Sequence, residues 1–216
     1  MRKNDTFWVC VSWVVVLAAV GAAVVFALLA GNSREHSTPM PGWEKFEAGV
    51  VELWLPESWE GWDPTEGIDT VVEKLQNLGP GFDKYAQQLV QNPSMVVLWV
   101  YDLEVGESGG LTNVLVCKQG VFSTMTVDTY LGLVLQSLPA QFQVTEQGTV
   151  RLTDHEAGRL ILEADLSGVE AKELMYVVKE GTTMWLITYS TGAQEFDQRL
   201  PVFEQSALTF AIQDQE

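Results

Sequence analysis

The hydrophobic pattern of the chain changes character at residue 30. Residues 7–30 form an uninterrupted apolar run in which Ser12 is the only conventional polar side chain. Because a helix rises about 1.5 Å per residue, a run of this length crosses a hydrocarbon core of about 30 Å with some tilt. The run is also longer than the apolar part of a cleaved signal peptide, which is about 7–15 residues. We therefore predict a transmembrane anchor at residues 7–30.

Basic residues around the run favour one orientation of this anchor. Arg2 and Lys3 precede it closely, whereas Arg34 and Lys45 follow it at a greater distance. Positive charge is enriched on the cytoplasmic side of membrane spans. We therefore expect a single-pass protein of the cell membrane, with a cytoplasmic N-terminus and an extracytoplasmic domain.

The chain divides into four parts on this pattern. Residues 1–6 are the predicted cytoplasmic tail and residues 7–30 the anchor. Residues 31–42 are polar, contain two prolines and are typical of a linker. Residues 43–216 then form one domain, because this length is ample for a single hydrophobic core and short for two.

Alternating and continuous apolar segments predict several strands in this domain. The segment 51–55 alternates with a period of two, whereas 95–103 is apolar throughout and is predicted to be a central strand buried on both faces. A loop at 104–110 joins that strand to 111–118 as a hairpin, and residues 57–62 are predicted to be a loop. The other predicted strands are 142–146, 149–153 as its continuation or as a separate strand, 157–165, 172–179, 182–190 and 208–212, with a tight turn at Gly181.

Helical spacing predicts the remaining elements. A helix is expected to start at Asp63 and a second to cover 81–91. The clearest amphipathic helix follows Thr126 and ends before Pro139. The last helix contains Pro201 and is predicted to be kinked there or to begin afresh. Strands joined mainly by hairpins, with helices that have one apolar face, indicate an α+β sandwich: an antiparallel sheet covered by helices.

Three stretches resemble the PsbP-like fold superfamily. VVELWLPESWEGW (50–62) is similar to its opening strand and Leu-Pro-x-x-Trp turn, 125–138 to its middle helix, and 175–210 to its closing hairpin and helix. The superfamily includes the photosystem II extrinsic protein, mycobacterial LpqN-like lipoproteins, a Ran-binding nuclear import factor and DcrB-like domains. The resemblance covers 43–212 and implies a binding or assembly module. No photosystem-specific or Ran-binding motif is found in the chain.

Composition narrows the possible partners. The formal net charge is −17, and only Asp5 among the acidic residues precedes the linker. A nucleic-acid partner is excluded on this charge, because its phosphates would repel the domain. Cys117 is the only cysteine outside the apolar run, so the domain forms no internal disulfide. Its apolar surroundings predict a buried hydrophobic side chain.

The residues that could act in catalysis or bind a metal ion form no complete site. Gly106–Gly110 is similar to the serine-protease nucleophile signature, but the single histidine of the domain beyond the linker, His155, has neither the chain order nor the motif of a triad. Asp154, His155 and Glu156 are adjacent and converge poorly on a strand, where they are predicted to form a solvated turn. Zinc is not expected, since a site needs several convergent ligands. No cofactor is predicted.

Trp59 and Trp62 are the candidate partner-binding residues. Two large aromatic side chains in one glycine-containing loop have the character of interface anchors. The alternative is that they cover the sheet edge as part of the core.

The sequence thus predicts a non-catalytic, membrane-anchored, extracytoplasmic module that binds or assembles a protein of the cell envelope. Two alternatives remain open at this point. One is a hydrolase that uses His155 or paired carboxylates, which requires them to converge in a pocket. The other is a carrier of a small ligand or lipid, which requires an apolar cavity between sheet and helix.

Overall fold

The computed structural model describes residues 40–62, 96–102, 104, 111–165 and 170–213. The predicted span at 7–30, the predicted helices between residues 63 and 91, and the predicted turn at 106–110 lie outside these residues. Within the described ranges, no helix has the length and apolar character needed to cross a bilayer.

Ten strands and two helices make up the described part of the chain. The strands are β1 (Trp43–Ala48), β2 (Val51–Pro56), β3 (Trp59–Trp62), β4 (Val96–Asp102), β5 (Asn113–Gly120), β6 (Phe142–Leu152), β7 (His155–Asp165), β8 (Glu170–Glu180), β9 (Thr183–Gly192) and β10 (Ala211–Ile212). The helices are α1 (Val127–Ser137) and α2 (Phe196–Ala207).

Seven strands form one antiparallel sheet in the order β3-β4-β5-β9-β8-β7-β6. Strand β4 lies inside this sheet and is buried along its whole length, which confirms the predicted central strand. The β8–β9 hairpin turns at Gly181, whose φ of 56° suits glycine because it has no Cβ. We call this the large sheet.

Helix α1 covers one face of the large sheet. Thr126 caps it by accepting a hydrogen bond from the backbone N–H of Thr129, as its sequence position predicts. Tyr130, Leu131 and Val134 point into the core on this face, which we call the first core. Leu131 lies directly against Gly158 of β7, where a Cβ would collide with it. The missing side chain therefore lets the helix approach the sheet closely.

Helix α2 and a small sheet cover the opposite face. Phe203 is fully buried and stacks on Tyr189, with ring centroids 5.1 Å apart. Phe196 and Trp59 approach the same ring edge-on at 6.3 and 6.4 Å. These aromatic side chains belong to a second core on this face of the large sheet.

The small sheet joins the two ends of the described chain. Its order is β1-β2-β10, and both contacts are antiparallel. The ring of Phe46 packs against Gly61 of β3, so the small sheet rests on the edge of the large one.

One prediction of secondary structure is wrong, and the structure decides between the alternatives at two other places. Residues 59–62 are not a loop but strand β3, because β4 supplies pairing partners that sequence alone does not show. Of the two alternatives for 149–153, the continuation is confirmed, because 142–146 and 149–152 belong to one strand, β6, with a register shift between Val144 and Glu146. Pro201 lies inside one helix, α2, which continues on both sides of it, so the helix does not begin afresh there.

Candidate functional site

A line of polar side chains crosses the large sheet at a single register. In β3, β4, β5, β9 and β8 the successive Cα partners are Glu60, Tyr101, Asn113, Ser190 and Glu173. Opposed residues in antiparallel strands point to the same face, and Tyr101 belongs to the first core. These five side chains, which we call the polar row, therefore lie on the face that α1 also covers.

One end of the polar row is well hydrogen-bonded. The hydroxyl of Tyr101 donates to Glu60 Oε2 at 3.1 Å. Asn113 accepts from Trp99 Nε1 at 3.2 Å and donates from Nδ2 to the carbonyl of Leu111 at 3.0 Å. This end therefore follows the rule that buried polar groups are paired.

Glu173 breaks that rule at the other end. Its side chain is 1% exposed, and neither carboxyl oxygen has a hydrogen-bond partner. Leu162 and Ser190 are its neighbours across the strands, with Ala171 and Met175 on the same face of β8. Burial raises the pKa of the Glu173 carboxyl well above its usual value, because desolvation favours the neutral acid.

Thr188 adds a second unpaired group on the same face. Its hydroxyl is buried without a hydrogen-bond partner, and its residue is 1% exposed. Thr188 opposes Met175, two positions from Glu173 on β8, so the two polar side chains are diagonal neighbours on adjacent strands. Three oxygen atoms are thus left with unused hydrogen-bonding capacity inside the first core.

His155 lies far from this site. It is the first residue of β7 and not part of the turn, so the strand starts two residues earlier than predicted. Its Nδ1 lies 3.5 Å from Glu180 Oε2, and the two side chains are 24% and 55% exposed. Glu173 opposes Leu162, seven residues further along β7, which corresponds to roughly 23 Å of strand. The structure does not bring the histidine and the buried carboxyl together.

The structure describes the side chain of only one of the two candidate tryptophans, Trp59. Trp59 is 3% exposed and packs against Phe203, as the alternative of a core tryptophan predicts. The backbone of Trp62 belongs to β3, and its side chain lies outside the described residues. The partner-binding role of the pair stays a prediction.

Other candidate ligands are also accounted for. Cys117 is 1% exposed in the first core, which confirms its predicted role as a buried hydrophobic residue. Across the part of the chain that the structure describes, no group of three or more His, Cys, Asp or Glu side chains is arranged to hold a metal ion.

Sequence reasoning missed Glu173, although a signal was present. In the predicted strand 172–179, a period of two places Glu173 on the same face as Met175 and Val177. A carboxylate on an otherwise apolar strand face indicates a charged group that the fold would bury at a cost in free energy.

Comparisons with known proteins bear on the fold. No protein-family model matches the sequence, and no curated protein matches it. Among solved structures, the domain superposes on LpqN of Mycobacterium tuberculosis with a TM-score of 0.53 and 11% identity, covering 83% of this chain and 88% of that one. It superposes on cyanobacterial PsbP from Synechocystis with a TM-score of 0.50 and 14% identity, covering 83% and 98%.

The chain has the PsbP-like fold. This confirms the resemblance predicted from 50–62, 125–138 and 175–210, together with the α+β class of the domain. In the PsbP-like fold of this chain, the large sheet is enclosed by helix on one face and by helix and small sheet on the other. Since one fold hosts unrelated functions, the role of the chain has to come from its own surface and interior.

Proposed function

We propose that this protein is a non-catalytic binding or assembly module of the cell envelope, held at the membrane by residues 7–30. The structural observation that carries the binding role is the turn at 121–125. Its aromatic residue, Phe122, is 76% exposed, more than any other large hydrophobic side chain in the described part of the chain.

The turn that carries Phe122 is fixed on several sides. The N–H of Val121 donates to the carbonyl of Thr182 at 2.8 Å, and the N–H of Met125 donates to the carbonyl of Phe122 at 2.9 Å. Lys179 Nζ donates to the carbonyl of Ser123 at 2.8 Å. The backbone is therefore ordered before any partner arrives, which reduces the entropy lost on binding.

An exposed aromatic ring on an ordered turn has the properties of an interface anchor. Val121 and Met125 pack partly against the first core, so Phe122 projects from a stable base. Aromatic side chains that enter a partner's pocket contribute disproportionately to binding energy. The excess of acidic residues in the chain favours a partner with a basic rim around that pocket.

The arrangement of reactive groups supports binding over catalysis. His155 is at the surface beside Glu180, Cys117 is buried in the first core, and Glu173 lies roughly 23 Å of strand away from the histidine register. A hydrolytic site needs a nucleophile or activated water, a base and an orienting group within hydrogen-bond reach of one another. These three residues do not meet that requirement.

The envelope location rests on the apolar run at 7–30 and on the basic residues before it. LpqN, which shares the fold, is described as involved in cell envelope biogenesis, and the same setting suits a domain tethered outside the cytoplasm. Trp62 remains a further candidate contact for an envelope partner.

Photocrosslinking tests the binding role in intact membranes. A photoreactive phenylalanine analogue placed at residue 122 is expected to crosslink one protein reproducibly. The matched control is the same analogue at Leu208, which is 53% exposed at the end of α2 and is expected not to give that product. Equal labelling from both positions, or no product from residue 122, would contradict the proposed contact.

Detergent partitioning tests the anchor separately. The full-length chain is expected in the detergent phase, and a variant without residues 7–30 in the aqueous phase. Recovery of the intact chain from the aqueous phase would remove the membrane tether and leave the crosslinking result unaffected.

A further inference from the structure

We propose that Glu173 anchors an interior binding site for a small apolar amine, with Thr188 as its second polar contact. This site is distinct from the Phe122 turn and extends the proposed function to ligand binding. It stands on the geometry of β8 and β9 within the first core.

The first observation is the isolation of the carboxyl group. Both oxygens of Glu173 are buried without hydrogen bonds, and no cation of the described residues pairs with them. A buried carboxyl without partners destabilises a protein, whereas an apolar side chain of similar volume would avoid that effect. The structural role of this position is therefore better served by another residue, which points to a use for the acid.

The second observation is the unpaired hydroxyl beside it. Thr188 is a diagonal neighbour of Glu173, and such neighbours have Cα atoms about 7–8 Å apart. A single donor group between the two side chains can reach a carboxyl oxygen and a hydroxyl oxygen at ordinary hydrogen-bond lengths of about 2.7–3.2 Å.

The unpaired atoms define the polar part of the ligand. Carboxyl oxygens accept hydrogen bonds, and an ammonium group supplies three donors and a compensating charge. The formal charge of −17 attracts cations toward the protein and disfavours an anionic ligand.

The surrounding side chains define the rest of the ligand. Leu115, Leu162, Ala171 and Met175 lie on the same face of the sheet around Glu173 and Thr188. Apolar side chains around a few well-placed polar groups are the usual composition of a small-molecule site. An amine with a compact apolar body matches both parts.

Two probes of opposite charge test this assignment on the full-length protein in lipid nanodiscs. Phenethylamine is titrated by calorimetry beside 3-phenylpropanoate, which has a similar body and the opposite charge. One saturable phenethylamine site is expected, with binding of 3-phenylpropanoate at least tenfold weaker. Empty nanodiscs give the background from membrane partitioning.

Variants locate the site. Glu173→Gln and Thr188→Val are expected to weaken phenethylamine binding, the former at least tenfold. Glu163→Gln is the matched control, because Glu163 lies in the neighbouring register row, pairs with Lys172 at 2.6 Å and is 43% exposed. Its affinity for phenethylamine is expected to stay within twofold of the unmodified protein.

Three results would overturn the proposal. One is the absence of saturable phenethylamine binding, and another is equal binding of the amine by the Glu173→Gln variant. The third is a crystal structure grown with phenethylamine in which only a water molecule bridges Glu173 and Thr188. That result would make the position an internal solvent site.

Discussion

Arg199 Nη1 of helix α2 donates a hydrogen bond to Asp102 Oδ2 at the end of β4, over a distance of 2.5 Å. The Asp102 side chain is 3% exposed and that of Arg199 23% exposed. The other oxygen, Asp102 Oδ1, accepts from the N–H of Glu104 at 3.0 Å. This ion pair fixes the start of α2 against the large sheet, next to the aromatic cluster around Phe203.

Replacing Arg199 by alanine should therefore destabilise the domain strongly. It leaves the buried Asp102 carboxylate without its cation, and breaking a buried pair from one side typically costs about 3–5 kcal/mol. Urea denaturation followed by far-UV circular dichroism measures the loss. The double variant Asp102→Leu/Arg199→Met should recover much of the stability, because it removes both charges together. A loss below about 1 kcal/mol in the single variant would show that the pair is dispensable.

Two glycines should respond to alanine in opposite directions. At Gly158 a Cβ would collide with Leu131, so Gly158→Ala forces α1 away from the sheet, and overpacking of this kind costs about 1–3 kcal/mol. At Gly132 on α1 the added Cβ meets open space, so alanine should stabilise the helix by about 0.5–1 kcal/mol. Thermal denaturation of both variants provides the comparison. Stabilisation by Gly158→Ala would contradict the close helix–sheet contact.

Glu173→Gln should stabilise the domain in a pH-dependent manner. The folded-state pKa of Glu173 lies above its usual value of 4.5, so below pH 4.5 the acid is neutral in both folded and unfolded chains. As the pH rises, the unfolded chain ionises first, and the wild type loses stability by up to about 1.4 kcal/mol per pH unit until the folded pKa is reached. Glutamine does not ionise and avoids that loss.

Chemical denaturation at several pH values between 4 and 8 measures this effect. The stability of Glu173→Gln should exceed that of wild type at pH 7, and the difference should shrink as the pH falls toward 4.5. Glu163→Gln corrects for the general effect of removing one carboxylate from an acidic protein. A difference between Glu173→Gln and wild type that stays constant over this range would argue against a raised pKa at Glu173.

Tyr189 and Ser206 provide a test of a buried neutral hydrogen bond. The Tyr189 hydroxyl lies 3.0 Å from Ser206 Oγ, and both residues are buried. Tyr189→Phe leaves the serine hydroxyl unpaired and should cost about 1–3 kcal/mol. Adding Ser206→Ala should return part of that loss, because no unsatisfied group then remains. A double-mutant cycle measured by urea denaturation checks this recovery. Strictly additive changes in the free energy of unfolding would contradict the coupling between the two residues.

Periodicity predicted most of the fold that the structure describes. The apolar run at 95–103 predicted β4, the spacing after Thr126 predicted α1, and Gly181 marked the β8–β9 turn. Local patterns failed where distant pairing decides the conformation. Gly61 weakens the strand signal of β3, yet pairing with β4 and the contact from Phe46 make it a strand.

The candidate site was harder to predict than the fold. Glu173, Thr188 and Asn113 are widely separated in sequence and become neighbours only through the order of β8, β9 and β5. The strand pattern marks Glu173 as anomalous but does not show which residues surround it. Phe122 gave no sequence signal either, since the exposure of its ring depends on the packing of Val121 and Met125 beneath it.

The pairing of β2 with β10 has a mechanical consequence. Glu52 and Val51 are the register partners of Ala211 and Ile212, so the second and the last described strands lie side by side, with β1 on the other edge of β2. A force applied between residues 43 and 213 would act on β1 and β10 and would load the two ladders of this small sheet first. The seven-stranded sheet would stay outside that line of force.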